Sequence, residues 1–497
     1  MATGDLKNKT AKGLLWGGVG SVMLQFMSLV FGIFLARLLN AEDYGIVGLL
    51  AIFSQLAATF CESGFTKALV NRPGLRHKDF NAVFWFSLSV GVVCYIVLFF
   101  FAPLIARFYN EPRLTALSRY AFLYVLFSCL TVVPSAYMLK KLMVKQRTLS
   151  MWICLVVSNV VGIFLAFRGF AHWGIVTQNL IYSFLYMVLG YVYSKWRPTL
   201  SFSIKPLREM FSYSVKLLGT AILTIINNNL FTIFLAKFFS IRTVGNYNQA
   251  NKWSTMGFSL ITTPLWNVTQ PVLAAIDVKE ERERYYAAFR KLVRFTAFIG
   301  FPIMFGLAFI AREFIVILLT EKWLESAEML SILAVGYAFY VMTRVFSDIL
   351  AERGRSDLYF WVSAVSGGLQ ILCLFLLHPF GIRVMLISGM GVQVLGFFLW
   401  YFFVWKEVGY KLWHLVGDVF SYVGIGSIAI GVAYWLLKWT GITNMYLSIA
   451  LKVLVVAALY IGGLYLAKSV MLRESYQYLK NILRSMRGGD RRTNGKI

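Results

Sequence analysis

Four basic side chains interrupt long apolar runs of this sequence: Lys216, Lys252, Arg344 and Lys452. A charge in such a run is costly to bury and is kept where it faces a cavity or a partner. Arginine offers a planar fork of donors matched to the paired oxygens of a phosphate, and lysine a compact point charge. The bland alternative for Lys216 and Lys252 is that each snorkels to the membrane surface. Lys452 stands apart, and helix packing or snorkelling explains it. Asp348 follows Arg344 by four residues, on the same helical face. It either makes a structural ion pair or serves as a carboxylate that takes up a proton or cation. Glu62 ends another run, as a gate, a salt-bridge partner or a solvated helix end.

Amides form a second group. Asn227, Asn228 and Asn229 stand in succession mid-run. Steps of 100° spread them over a wide arc, so at least one turns away from lipid. It meets a hydroxyl-bearing ligand, a gating helix, or a neighbouring helix through a bond of about 1 kcal/mol. Gln25, Gln55, Asn159, Gln178, Asn179, Gln249, Asn251 and Asn267 add further amides. Other chemistry is poorly provided for. The chain has 4 His, and its 5 Cys (Cys61, Cys94, Cys129, Cys154 and Cys373) lie in apolar runs without metal-ligand or redox spacing. They read as small buried hydrophobes. No glycine-rich phosphate loop of the Gly-x4-Gly-Lys-Ser/Thr type occurs, so ATP does not drive this chain directly.

The elements that hold these residues follow from composition. Of 497 residues, 59% are hydrophobic and 14% charged, with a formal net charge of +26. Soluble domains carry about one-quarter charged residues. The apolar fraction excludes a soluble enzyme or a nucleic-acid binder and leaves a membrane protein with basic loops. Helices are required, because lipid satisfies no exposed backbone group and the short alternating strands of a barrel are missing. Fourteen runs approach the roughly 20 residues of one crossing. They lie at 13–36, 44–63, 81–104, 115–139, 149–167, 173–194, 210–238, 246–270, 292–319, 327–350, 358–377, 382–405, 414–437 and 444–467. The first follows a short basic head and remains as a helix rather than a cleaved signal. With the N-terminus inside, inside segments hold 33 of the 48 Lys and Arg and outside loops 11, span ends being counted with the adjoining loop. That bias places both termini in the cytoplasm. Lys216 and Arg344 then lie in the inner half of the bilayer and Lys252 in the outer half. The connection 271–291 is expected to be partly helical from Val278. In the tail, Leu472, Tyr476, Leu479, Leu483 and Met486 share one face amid basic residues. That stretch either lies on the anionic inner leaflet or is solvated.

An internal repeat organises the spans. At an offset of 200, Phe31, Ile33, Phe34, Leu35, Ala36 and Gly45 match Phe231, Ile233, Phe234, Leu235, Ala236 and Gly245. At an offset of 210, Glu111 and Leu114 match Glu321 and Leu324. Six spans separate the copies, so the halves share one orientation about an axis along the membrane normal. The expected fold is an all-α polytopic membrane protein. Two parallel-repeat six-helix lobes, 1–200 and 201–410, are followed by two extra helices, 411–468, and a basic cytoplasmic tail, 469–497.

Several short segments, in order, resemble the signatures of one family. They are Ala36 to Gly45 after the first span, Glu62-Ser-Gly64 ending the second, and Gly169 to Trp173 entering the sixth, with Ala171 in place of a second glycine. Arg197-Pro198 with Ser201 to Ser203, Gly245 to Ala250, and Glu321-Lys-Trp323 continue the series. Over residues 5–405 the chain resembles the polysaccharide-repeat-unit (O-antigen and exopolysaccharide, Wzx-type) flippases. Their superfamily also holds multidrug and toxin extrusion transporters and the peptidoglycan-precursor flippase. One departure stands out: where many relatives carry an aspartate in the seventh span, this chain has Asn227 to Asn229.

The resemblance implies alternating-access transport of an undecaprenyl-diphosphate-linked oligosaccharide across the bacterial inner membrane, from its cytoplasmic to its outer leaflet. It implies no catalytic residue, metal or cofactor. Lys216, Arg344 and Lys252 would meet the diphosphate. Asn227 to Asn229, Gln25 and Gln249 would meet glycan or gate, and Glu62 and Asp348 would gate or couple. Glycosyltransferases and a glycan polymerase are the expected partners, beside membrane lipid. The potential, with a proton or Na+ exchanged, is the expected drive: two charges gain about 4–5 kcal/mol per 100 mV. A lipid-linked peptidoglycan-precursor flippase differs from this only in cargo. A cation-coupled drug antiporter would need buried carboxylates to dominate, whereas four bases face two acids in the spans. A membrane glycan ligase or polymerase would need larger outside loops.

Overall fold

A computed structural model describes residues 2–62, 65–72, 74–200, 205–274, 276, 280–353, 355–439 and 444–488. The elements are α-helices, named in chain order. The first ten are α1 (Ala2–Leu38), α2 (Ala41–Glu62), α3 (Phe65–Asn71), α4 (His77–Phe108), α5 (Leu114–Ala121), α6 (Leu123–Lys140), α7 (Val144–Phe167), α8 (Ala171–Ser194), α9 (Lys205–Phe238) and α10 (Ile241–Ala274). There follow α11 (Arg282–Leu319), α12 (Leu324–Glu352), α13 (Ser356–Leu377), α14 (Ile382–Val408), α15 (Leu412–Leu415), α16 (Ser421–Lys438), α17 (Met445–Leu466) and α18 (Val470–Gly488). Each of the fourteen expected runs falls on helix over its described residues. Among the described residues thirteen helical segments are long and apolar enough to cross a membrane. The run at 246–270 is not one of them. Its helix α10 has ample length at 34 residues, but Asn246, Asn248, Gln249, Asn251 and Lys252 dilute its apolar character. Within 271–291 the last turn of α10, to Ala274, and the first turns of α11, from Arg282, are helical, the latter continuous with the ninth span.

The repeat is visible in the helix boundaries. Helix α1 stops at Leu38 and α2 starts at Ala41; α9 stops at Phe238 and α10 starts at Ile241. Both starts are capped within equivalent residue pairs, with donor and acceptor exchanged. The Asn40 N–H donates to Asp43 Oδ2 at 3.1 Å, and the Thr243 N–H donates to Ser240 Oγ at 3.2 Å. Each bond satisfies a backbone donor at a helix start, one of the groups that helix termini leave unpaired. At the other offset, α5 begins at Leu114 and α12 at Leu324.

Contacts divide the chain into two compact units, 1–248 and 249–497. This division falls later than residue 200 because α9 packs on α2, α3 and α4. In the first unit α2 also meets α6 and α8. Phe65, Phe80, Phe84, Trp196 and Met210 fill one end of it. The Lys140 ammonium binds the Leu69 carbonyl at 2.9 Å and that of Arg72, satisfying the C-terminus of the short α3. Cys61 and Cys129 are joined as a disulfide, α2 to α6, with Cα atoms 5.4 Å apart. That pair corrects the reading of all five cysteines as unbonded; chain distance, 68 residues, hid it.

In the second unit α12 is the central helix, wrapped by α11, α13 and α14, while α16 and α17 pack on α11. Phe289, Phe301, Phe346 and Phe397 are fully buried between them. Two polar clasps hold the last spanning helices to α11. Near its start, Arg290 Nε donates to Asp418 Oδ2 at 2.7 Å, Arg294 pairs with Asp418 Oδ1, and the Tyr410 hydroxyl donates to Asp418 at 3.1 Å. Asp418 is 2% exposed and sits in a π-helical turn, Val416–Phe420. Near the far end of α11, Lys452 Nζ of α17 donates to Glu313 Oε1 at 2.6 Å. Lys452 is thus a packing residue of the second unit. Glu313 and Asp418 are buried acids beyond the two anticipated in the spans.

Candidate functional site

The second unit contains a cavity of about 260 Å³ between α10, α11 and α12. Helix α12 supplies its charge. Val341, Val345, Ile349 and their neighbours bury one face of the helix, which turns Arg344 and Asp348 to the cavity wall. Arg344 Nε donates to Asp348 Oδ2 at 2.8 Å, with side-chain exposures of 45% and 12%. The arginine is therefore accessible and the aspartate nearly enclosed. Helix α10 supplies hydroxyls and an indole: Ser259, Thr262, Thr263, Thr269 and Trp266. The Thr262 and Thr269 hydroxyls donate to the carbonyls of Phe258 and Leu265, at 3.0 and 2.6 Å. One cation, one carboxylate and a row of small hydroxyls suit an anionic, oxygen-rich ligand. No cluster of three or more potential metal ligands occurs among the described residues.

The other expected site residues fall elsewhere. The Lys216 side chain lies outside the described residues. Lys252 is exposed on α10 but does not line this cavity. The Asn229 amide donates to its own helix at Ile225 O, 2.8 Å away. Asn227 and Asn228 are half-buried and exposed, and neither lines a cavity described here. Gln249 is 1% exposed, with both amide atoms unpartnered, so it is sealed from ligand in this structure. Gln25 is half-buried with Oε1 unpartnered. Glu62 is an exposed helix end.

In the first unit two of the sequence signatures meet. The segment 36–45 and the segment 169–173 join where Asp43 Oδ1 faces His172 Nδ1 at 3.3 Å. Tyr120 and Trp173 pack with ring centroids 5.7 Å apart. Beside them the Arg113 guanidinium binds Glu111, with Nε 2.6 Å from Oε1, and holds that carboxyl below its usual range. Gly45 and Gly245, matched by the repeat, face each other at the starts of α2 and α10, with no room for a side chain between them. A third signature, Arg197-Pro198, fastens a connection: Arg197 donates to Tyr191 O and Trp196 O, at 2.6 and 2.9 Å, and the Thr199 N–H to Asn81 Oδ1 at 2.8 Å.

Residues 34–328 match the family described as polysaccharide biosynthesis protein. The chain belongs to this family. The lipopolysaccharide biosynthesis protein WzxC of Escherichia coli (strain K12) is 22% identical over 90% of this chain and 89% of its own length. The succinoglycan biosynthesis transport protein ExoT of Rhizobium meliloti (strain 1021) is 22% identical over 66% of each chain. Among solved structures, the lipid II flippase MurJ in an inward closed conformation superposes with a TM-score of 0.71. It is 14% identical and covers 93% of this chain and 100% of that one. The fold is thus that of the flippases and multidrug exporters anticipated from the signatures. In this family member the signatures read as structural devices: caps, a glycine contact and a pinned connection. Sequence reasoning missed the clasps at Asp418 and Glu313, because each acid lies near a span end, where its charge counts with the adjoining loop.

Proposed function

We propose that this chain moves undecaprenyl-diphosphate-linked oligosaccharide repeat units from the cytoplasmic to the outer leaflet of the bacterial inner membrane. The relatives' names point to export of polysaccharide building blocks, and the fold is one that serves alternating access. The single observation that carries the reading is the Arg344–Asp348 pair on the wall of a hydroxyl-lined cavity. Arg344 lies about two turns from the end of α12 that the charge bias assigns to the cytoplasm, some 12 Å along the axis. A diphosphate arriving from that side meets a guanidinium whose Nε already holds a carboxylate. The anion competes for the fork, and Asp348, released from its counter-charge, becomes a place for a proton or cation.

The work is transport, with no bond made or broken. Moving two negative charges out along a negative-inside potential of 100 mV gains about 4–5 kcal/mol. Glycosyltransferases on the inside supply the cargo and a polymerase on the outside consumes it, which keeps the flow one-way. The test is Arg344→Ala beside Arg344→Lys in a strain whose surface glycan depends on this gene. Loss of surface glycan at normal protein level is expected for Arg344→Ala, with partial function for Arg344→Lys. Normal glycan in Arg344→Ala would overturn the proposal. Collapsing the potential in vesicles is expected to slow flipping; an unchanged rate removes the potential as the drive.

A further inference from the structure

The first unit contains an open cavity of its own, about 300 Å³, lined by α2, α5, α6 and α8. Its polar lining is Ser54 and Gln55 from α2, Tyr124 from α6, and Asn179 and Tyr182 from α8. No charged side chain lines it. That separates it in kind from the cavity with Arg344 and makes it a poor host for a phosphate, a carboxylate or a cationic drug.

Its hydrogen-bonding groups are uncommitted. Most other amides of this unit have partners: Gln178 donates to Asn159, Asn159 to Leu155 O, and Asn229 to Ile225 O. Gln55 and Asn179 are exposed to the cavity, and among the described residues neither amide bonds another group of the protein. The hydroxyls of Tyr124 and Tyr182 likewise have no bond there. Such groups at membrane depth need water or a ligand, since lipid offers them nothing. Two amides and two phenols each donate and accept, as sugar hydroxyls do. Tyr182 is stacked on Tyr186, with rings 12° from parallel and centroids 6.2 Å apart, and this stiffens an aromatic wall for the C–H face of a pyranose. The volume is at the lower end for small-molecule sites and fits a single sugar unit.

We infer that this cavity is a saccharide subsite: Gln55 and Asn179 bond sugar hydroxyls, and Tyr124 and Tyr182 bond and flank the ring. The inference rests on the flippase reading above and adds where the glycan is recognised.

The test compares two probes against the purified full-length chain in nanodiscs. One is bare undecaprenyl diphosphate; the other is the lipid-linked oligosaccharide fraction extracted from cells lacking this gene. The wild type is expected to bind the sugar-bearing lipid at least tenfold more tightly. In the double variant Gln55→Leu/Asn179→Leu that preference falls below threefold, while bare-lipid binding stays within twofold. The pair Tyr124→Phe and Tyr182→Phe removes only hydroxyls and is expected to reduce the preference in a chain that melts as the wild type does. A preference retained in both sets, or bare-lipid binding lost in equal proportion, overturns the subsite. Equal binding of both probes by the wild type also overturns it and leaves the flippase reading standing. Binding of neither probe overturns the flippase reading itself, and the subsite with it.

Discussion

Gly245→Ala is the substitution for which the structure dictates the sharpest outcome. An added Cβ at residue 245 lies 2.6 Å from the Ala41 carbonyl carbon, closer still to its oxygen, and 3.0 Å from the Gly45 nitrogen. Ordinary van der Waals contact begins near 3.4 Å. All three neighbours are backbone atoms, so no rotamer relieves the clash. The starts of α2 and α10 must therefore separate by about 1 Å or more, and overpacking of this kind costs about 1–3 kcal/mol. Replacing a helical glycine returns about 1 kcal/mol of backbone entropy, which offsets only part of that. With three backbone neighbours the upper half of that range applies, so the net loss is about 1–2 kcal/mol, and at about 2–4 °C per kcal/mol the melting temperature falls by about 2–8 °C. Gly45→Ala likewise meets backbone first, the Ile241 carbonyl with its carbon at 3.0 Å, and is expected to lose less only because that carbonyl lies farther off than the Ala41 carbonyl does from residue 245. Gly219→Ala is the internal control. Nothing lies within 4 Å of its Cβ, so it is expected to melt at or above the wild type. The assay is thermal unfolding of the detergent-purified full chain by intrinsic fluorescence at one fixed scan rate. The expected order, from least stable, is Gly245→Ala, Gly45→Ala, Gly219→Ala. A Gly245→Ala protein that melts with the wild type would refute the claim that these helices touch through glycine.

Two further perturbations test the clasps, and a third tests the Glu111–Arg113 pair. Asp418→Ala strands two arginines, each about one-quarter exposed. The expected cost is about 3 kcal/mol, the low end for breaking a buried pair, read as a lower melting temperature. Lys452→Met leaves Glu313 buried with Oε2 already unpartnered. The double variant Lys452→Met/Glu313→Met is expected to be more stable than Lys452→Met alone; strict additivity would dissolve the pair. The Glu111 carboxyl, lowered by Arg113, adds stability that is present above the ordinary carboxylate range and lost as pH falls through its own lower value. Glu111→Gln is therefore expected to change stability at pH 7 and to match the wild type only well below pH 4; a difference independent of pH removes this role.

Much of the architecture was legible because membranes restrict the choices. Apolar runs of about 20 residues become helices, and the offsets of 200 and 210 in residue identity reappear as helix stops and starts at Leu38 and Phe238, Leu114 and Leu324. The pairing of Arg344 with Asp348 was also readable, since four residues on one helix fix their distance. What stayed hidden depends on which way a residue faces across helices. Asn227 to Asn229 drew attention by their run, yet the amides open to a cavity in the first unit are Gln55 and Asn179, and nothing in the sequence sets Asn179 apart from Gln178 beside it, whose amide bonds Asn159 instead. Asp418, near a span's entrance, carries no mark in the sequence of the pairing it makes. Only the return of α11 beside it, 124 and 128 positions away in sequence, reveals the paired arginines.

The two clasps on α11 also form a ruler. Arg294 and Glu313 are nineteen residues apart on one helix, about 28 Å along its axis, close to the roughly 30 Å of a bilayer's hydrocarbon core. Each clasp is polar and tied to a different spanning segment, so neither slides into lipid without exposing a charge. A thicker bilayer has to thin around this unit, and a thinner one has to swell or tilt α11. Lipid chain length, a property of the solvent rather than of the cargo, is thereby coupled to how tightly the last helices are held.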